Sequence, residues 1–175
     1  MPKDLFLMRH AKSSWKEAAQ KDFDRPLNKR GLEDLQFIAD WFKRENIIPD
    51  VILSSSALRA RATVDGICDI WGLPRDPVQY LDRLYLADRS TLMEIIQGQD
   101  ESVGSLLIVA HNPGLERVLS FLVADPIPLT KQGKLMTTAN VAHLRLAQAW
   151  RTLDRDQAEL LHLVRPKVLR EKHGN

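Results

Sequence analysis

Three short segments hold the residues of this chain best suited to chemistry. They are Arg9-His10, the run Ser54-Ser55-Ser56 with Arg59 close behind, and His111-Asn112-Pro113. Each follows an apolar stretch of strand character: Leu5–Met8, Val51–Leu53 and Leu106–Ala110. In an open α/β sheet, ligands gather beyond the carboxyl ends of the strands, so all three segments are expected on one edge. Two histidines, two arginines and helix N-termini meeting there make a poor site for a cation and a good one for phosphate. Guanidinium groups bind phosphoryl oxygens in pairs, and unpaired helix N–H groups add donors. Each residue alone has a plainer reading, as a structural histidine or a solvated arginine. Their joint placement at three strand ends is what points to phosphate.

The elements that position them alternate between strand and helix. After the first strand, Leu32, Leu35, Ile38, Ala39 and Phe42 recur at helical spacing from Gly31 to about Arg44, with Asn28 as expected N-cap and Asn46 and Pro49 closing the helix. The second strand runs through the serines into a helix carrying Leu58, Ala62, Ile67 and Ile70. A short strand over Val78–Leu81 and a helix over Ser90–Ile96 follow. Leu106–Ala110 is a continuous apolar run of the kind that parallel sheets bury on both faces. Asn112 is expected to cap the helix after it, with Pro113 as first helical residue. Ala139–Leu146 and Leu160–Val164 read as strands of an antiparallel C-terminal edge, and residues from about 165 to 175 as a solvated tail. The expected fold is α/β: three layers, with a mostly parallel central sheet flanked by helices, in a single domain over 1–175.

Bulk composition narrows the function classes. The chain has 175 residues, 44% hydrophobic and 27% charged, within the range of ordinary soluble domains. A net charge of +2 is too mild to argue for nucleic acid. No apolar run approaches the ~18–20 residues of a membrane span, and the apolar stretch after Met1 is too short for a secretory signal, so a cytoplasmic location is expected. Cys68 is the only cysteine, which excludes an internal disulfide, and its neighbours Ile67 and Ile70 suggest a buried helix face. No metal or cofactor is expected, because His143, His162 and His173 fall in edge strands or tail, away from His10 and His111.

Leu7-Met8-Arg9-His10-Ala11 resembles the Arg-His-Gly signature of the histidine phosphatase (phosphoglycerate mutase-like) superfamily. Ser55 to Thr63 is similar to its second motif, and Val109-Ala110-His111-Asn112-Pro113 to its third. Asp24-Arg25-Pro26-Leu27-Asn28 resembles the Arg-Pro-Leu segment that opens the next helix. The match runs in order from residue 5 to about 124, and the short chain is most similar to the SixA branch of phosphohistidine phosphatases. Two departures stand out. Ala11 replaces glycine, which implies that the backbone there needs no positive φ. Larger members carry a glutamate after the third strand that protonates the leaving oxygen, and Leu86 stands at that position here. Asp88 is a candidate replacement, with capping of the next helix as its competing role; Asp82 is the other nearby carboxylate.

The resemblance implies attack on phosphorus by His10, a covalent phosphohistidine, and its hydrolysis. Arg9 and Arg59 would clamp the phosphoryl oxygens and His111 would donate to them, while Arg25, Lys12 and Ser13 would contact substrate at the mouth. A backbone carbonyl accepting from one ring nitrogen of His10 would keep the other unprotonated. Trp15 belongs either to the pocket rim or to the core. A phosphohistidine protein suits a site without a general acid, because imidazole leaves more readily than an alkoxide. The rival enzyme reading is a general phosphomonoesterase on a small metabolite, with Asp82 or Asp88 as acid. A non-catalytic phosphate-binding module is the rival from another class. Neither nucleic acid nor membrane is an expected partner, and the sequence assigns no oligomeric state.

Overall fold

Leu5 and Leu7 point to one side of the first strand and Phe6 and Met8 to the other, and all four are buried. Such a strand must lie inside a sheet with cover on both faces. The computed structural model, which describes residues 1–18 and 20–174, places it there. The six strands are β1 (Lys3–Arg9), β2 (Val51–Ser55), β3 (Val78–Leu81), β4 (Ser105–Ala110), β5 (Val141–Leu146) and β6 (Ala158–Val164), in spatial order β3-β2-β4-β1-β5-β6. β1 to β4 are mutually parallel, while β5 runs antiparallel to β1, and β6 to β5. The fold is a three-layer α/β sandwich with an antiparallel C-terminal edge.

Helices α1 (Lys29–Arg44) and α2 (Leu58–Trp71) cover the Phe6 and Met8 face through Leu35, Ile38, Phe42, Val64 and Ile67. Helices α3 (Arg89–Gln97) and α4 (Gly114–Leu122) cover the Leu5 and Leu7 face through Leu92, Ile96, Leu115, Val118 and Leu122. α1 begins where Asn28 accepts from the Gly31 N–H at 2.8 Å. Cys68 is buried on α2. No described helix is long and apolar enough to cross a membrane.

Four expectations change. Residues 166–173 form helix α5 (Pro166–His173), not a solvated tail; Leu169 is buried in the α1–α2 layer and Arg170 pairs with Asp34 of α1. Asn112 does not cap α4: its amide donates to Glu116 Oε1 at 3.0 Å and to the Met136 carbonyl at 2.9 Å, and the helix begins at Gly114. Leu58 and Ile70 are exposed, because the buried face of α2 is turned to Ala60, Thr63, Val64, Ile67 and Cys68. Leu32 of α1 is exposed as well.

Candidate active site

β2, β4 and β1 are neighbours and run the same way, so their carboxyl ends open on one edge. That edge carries a cleft of about 460 Å³ lined by Arg9, His10, Lys12, Ser13, Trp15, Asp22, Arg25, Arg59, Leu86, His111, Asn112 and Thr138. Arg9, His10, Arg59 and His111 are brought together there with Arg25, Lys12 and Ser13, whereas the serines after β2 stay outside the lining: Ser54 is buried, Ser55 lies behind His111 and Ser56 bonds Asp82.

His10 is locked by its own backbone. Its N–H donates to the Ala110 carbonyl at 3.2 Å, and its carbonyl accepts from the Ala139 N–H at 3.0 Å. Its ring Nδ1 lies 2.8 Å from the Ala11 carbonyl, which can only accept, so Nδ1 carries the proton and Nε2 the lone pair. Ala11 has no positive φ, and its N–H donates to Thr63 Oγ1 at 2.9 Å. The Thr63 hydroxyl in turn donates to the Arg59 carbonyl at 2.7 Å. The turn after the histidine is thereby fixed to the first turns of α2.

Arg59 is 3% exposed and each nitrogen of its guanidinium has a partner, leaving one Nη1 N–H free. Nε donates to His10 Nε2 at 3.3 Å; one terminal nitrogen reaches the Asp22 carbonyl at 2.7 Å; the other reaches Asp22 Oδ2 at 3.1 Å and His111 Nδ1 at 3.3 Å. Since guanidinium cannot accept, His111 Nδ1 is the unprotonated nitrogen, and Nε2–H donates to Ser55 Oγ at 2.8 Å. The two imidazoles stand 5.1 Å apart.

Both rings are held neutral. Burial pushes His10 down to about 4 against the Ala11 hydrogen bond, with Arg59, Arg9 and Arg25 adding to the fall. Burial takes His111 to about 3, helped by His10 and Arg59. Burial also lowers Arg9, whose Nη1 donates to the Met136 carbonyl at 3.2 Å while its buried Nε has no partner. An unpaired buried donor on a residue of the same cleft suits an anion's oxygen.

Asp22 is the residue that reasoning from sequence passed over. It lies in a 3-10 turn (Asp22–Asp24) of the long β1–α1 connection and joins Arg25 to Arg59. Oδ1 accepts from Arg25 Nε at 3.0 Å, and Oδ2 from Arg59 and from the Tyr85 hydroxyl at 2.6 Å. Partial burial pushes its carboxyl up, but Tyr85 and the two arginines outweigh that and hold it at about 2. Arg25 also donates to Ser13 Oγ at 2.7 Å and stacks on Trp15, 3.5 Å from the ring centroid. Trp15 is 77% exposed, at the rim rather than in the core.

Asp88 does not line the cleft. It caps α3, accepting from the Thr91 N–H at 2.9 Å, and that bond with those from the Thr91 and Ser90 hydroxyls lowers its carboxyl. A carboxylate so held is a poor proton donor, so the expectation of Asp88 as acid is corrected. Asp82 is taken by the Ser56 hydroxyl. Leu86 does face the cleft, 56% exposed and with a left-handed φ of 52°. Among the described residues no three His, Cys, Asp or Glu side chains converge as a metal-ligand set.

Two glycines bring loops against backbone here. A Cβ on Gly31 would stand 2.2 Å from the Lys12 carbonyl oxygen, and one on Gly114 would stand 2.0 Å from that of Ala87.

Residues 5–86 match the profile of the histidine phosphatase superfamily (branch 1). An uncharacterized protein of Mycobacterium leprae is 32% identical over 162 residues, covering 88% of this chain and 96% of that protein. The chain belongs to the histidine phosphatase superfamily. Among its relatives, phosphohistidine phosphatase SixA of Escherichia coli is 26% identical over 146 residues, covering 83% of this chain and 86% of that one. A solved SixA structure from Agrobacterium tumefaciens superposes with a TM-score of 0.76 at 28% identity, covering 95% and 99% of the two chains. Among the described residues the one carboxylate lining the cleft, Asp22, is bound to arginines.

Proposed function

We propose that this protein hydrolyses phosphohistidine on a cytoplasmic signalling protein, with His10 as nucleophile. The observation that carries the reading is the pairing of an unprotonated His10 Nε2 with a cleft that offers arginines and no available acid. His10 Nε2 attacks phosphorus in line, and a P–N bond forms as the bond to the leaving nitrogen breaks. The leaving imidazole keeps the electron pair and takes a proton from solvent. Water then attacks the phosphoryl group on His10, releasing inorganic phosphate and restoring the neutral ring. Arg9, Arg59 and Arg25 bind the phosphoryl oxygens, and the unpaired Nε of Arg9 is available for one of them. His111 becomes a further donor when Arg59 turns its terminal N–H from Nδ1 to a phosphoryl oxygen and the Ser55 hydroxyl donates to Nε2, leaving the ring proton on Nδ1. Lys12 lines the mouth, and Ser13 orients Arg25.

The acid matters because an alkoxide leaving group needs a proton, and general acid catalysis is worth about 10²–10⁴-fold. Asp22, ionised and bound to two arginines, does not supply one at neutral pH. A panel of phosphohistidine proteins, phosphoserine peptides and small phosphomonoesters tests the reading. Phosphohistidine is expected to turn over faster than alkyl phosphates by about 10²-fold or more. Equal rates would point instead to a general phosphomonoesterase, and no covalent phosphate on the wild type to a binding module.

A further inference from the structure

Beside the cleft lies a second hollow of about 180 Å³, lined by Lys12, Arg30, Asp34, Thr137, Thr138, Pro166 and Lys167. It shares Lys12 and Thr138 with the cleft, so the two adjoin. Its charge is unbalanced. Asp34 is its one carboxylate and is already bound by two guanidinium groups, Arg30 at 3.5 Å and Arg170. Among the described residues neither Lys12 nor Lys167 pairs with a carboxylate, and both are exposed. Helix α5 begins at this hollow with Pro166 and Lys167, so its positive end adds to the field.

We propose that this hollow is a docking shelf for an acidic stretch of the substrate protein next to its phosphorylated residue. The proposal rests on the phosphatase reading above and adds to it a rule for choosing substrates. The cations decide the kind of ligand. A second phosphoryl group calls for a free guanidinium fork, and both arginines here are spent on Asp34. What remains are two flexible ammonium groups and two threonines, which suit side-chain carboxylates at variable positions. The size of the partner follows from the cleft's mouth, where Trp15 and Leu86 leave apolar surface open to solvent. A peptide chain crossing that mouth covers both, whereas a small metabolite inside the cleft covers neither.

The test uses two phosphohistidine peptides of equal length, one with glutamates flanking the phosphorylated residue and one with glutamines in their place. Phosphoramidate serves as the small substrate. At low salt the wild type is expected to favour the glutamate peptide by roughly threefold or more in kcat/KM, through KM, in line with a few exposed ion pairs. The preference should fade at high salt, where such pairs are screened. Lys167→Glu should abolish the preference and leave phosphoramidate hydrolysis unchanged, which also reports that the variant is folded. Equal kcat/KM on the two peptides, or a preference that survives Lys167→Glu, overturns the shelf. Binding of both labelled peptides to His10→Ala, followed by fluorescence anisotropy, separates the two readings. Tighter binding of the glutamate peptide without hydrolysis of either by the wild type would sink the phosphatase reading and keep the shelf. Hydrolysis of both peptides alike would do the reverse.

Discussion

The cleft around His10 and the shelf beside it are both basic, but they hold their cations in opposite ways. In the cleft the charges are on guanidinium groups, with Arg25 and Arg59 less than a tenth exposed, bonded to Asp22 and Ser13. On the shelf Arg30 is spent on Asp34, and the free charges are on Lys167 and on Lys12, shared with the cleft's mouth, which are exposed and without carboxylate partners among the described residues. Desolvation makes a fixed charge strong and expensive to rearrange, which suits stabilising charge on a phosphoryl group in flight. Solvation makes it weak and forgiving, which suits recognition of sequences that vary. The difference separates what must be placed to a fraction of an ångström from what need only attract.

The comparison can be broken from the cleft side first. His10→Ala is expected to lower kcat by about 10⁴-fold or more, as loss of a nucleophile does, and to abolish acid-labile phosphate on the denatured protein. A covalent phosphate surviving the substitution would remove His10 from the role. Arg59→Lys keeps the charge but cannot reach His10, Asp22 and His111 together. Loss of that placed fork should cost about 10²–10³-fold in kcat in steady-state assays, far more than any change on the shelf. A loss below tenfold would show that charge alone suffices. Leu86→Glu sharpens the contrast by addition. An acid at this rim position should raise hydrolysis of alkyl phosphomonoesters by about 10²-fold, with little change for phosphohistidine. No gain would mean that Leu86 does not stand over the leaving group.

Acid should weaken the cleft before the shelf. His10 and His111 titrate lower in the folded state than the ~6.5 of an unfolded chain, so the unfolded chain binds more protons between the two values. Stability from this source is complete above about pH 6.5 and falls as pH drops toward the folded values. At pH 5 each histidine should cost about 2 kcal/mol, read as the shift in urea unfolding between neutral pH and pH 5. His111→Asn should remove part of that dependence. An unchanged dependence would mean the ring is not buried neutral. The shelf has the smallest effect, the few-fold peptide preference.

The sequence made one part of this contrast readable. His10 and His111 each follow the carboxyl end of a strand and Arg59 sits in the first turn of a helix, where local pattern fixes position and adjacency in a parallel sheet does the rest. Asp22 left no such mark, since a carboxylate in a long loop looks the same whether it is solvated or holds two arginines from other elements. Tyr85 escaped for the same reason. Asn112 carried a proper cap signal, but Glu116 and the Met136 carbonyl, the latter 24 residues away, took its amide. The shelf was invisible because two of its residues, Pro166 and Lys167, belong to α5, whose sparse apolar residues, Val168 and Leu169, read as tail until packing against α1 gives Leu169 somewhere to go.

Gly31 and Gly114 set a limit on how this site can diversify. Each puts main chain directly against main chain, beneath the loops that carry Lys12 and Leu86. Contacts of that kind have no rotamers to exchange, so these loops cannot be retuned by repacking, and any side chain at either glycine would push a whole loop aside. Drift at the two positions is therefore closed, while the side chains on top remain open to replacement. New substrate preference in this scaffold must come by exchanging residues such as Leu86 or Lys12 on a frame that does not move.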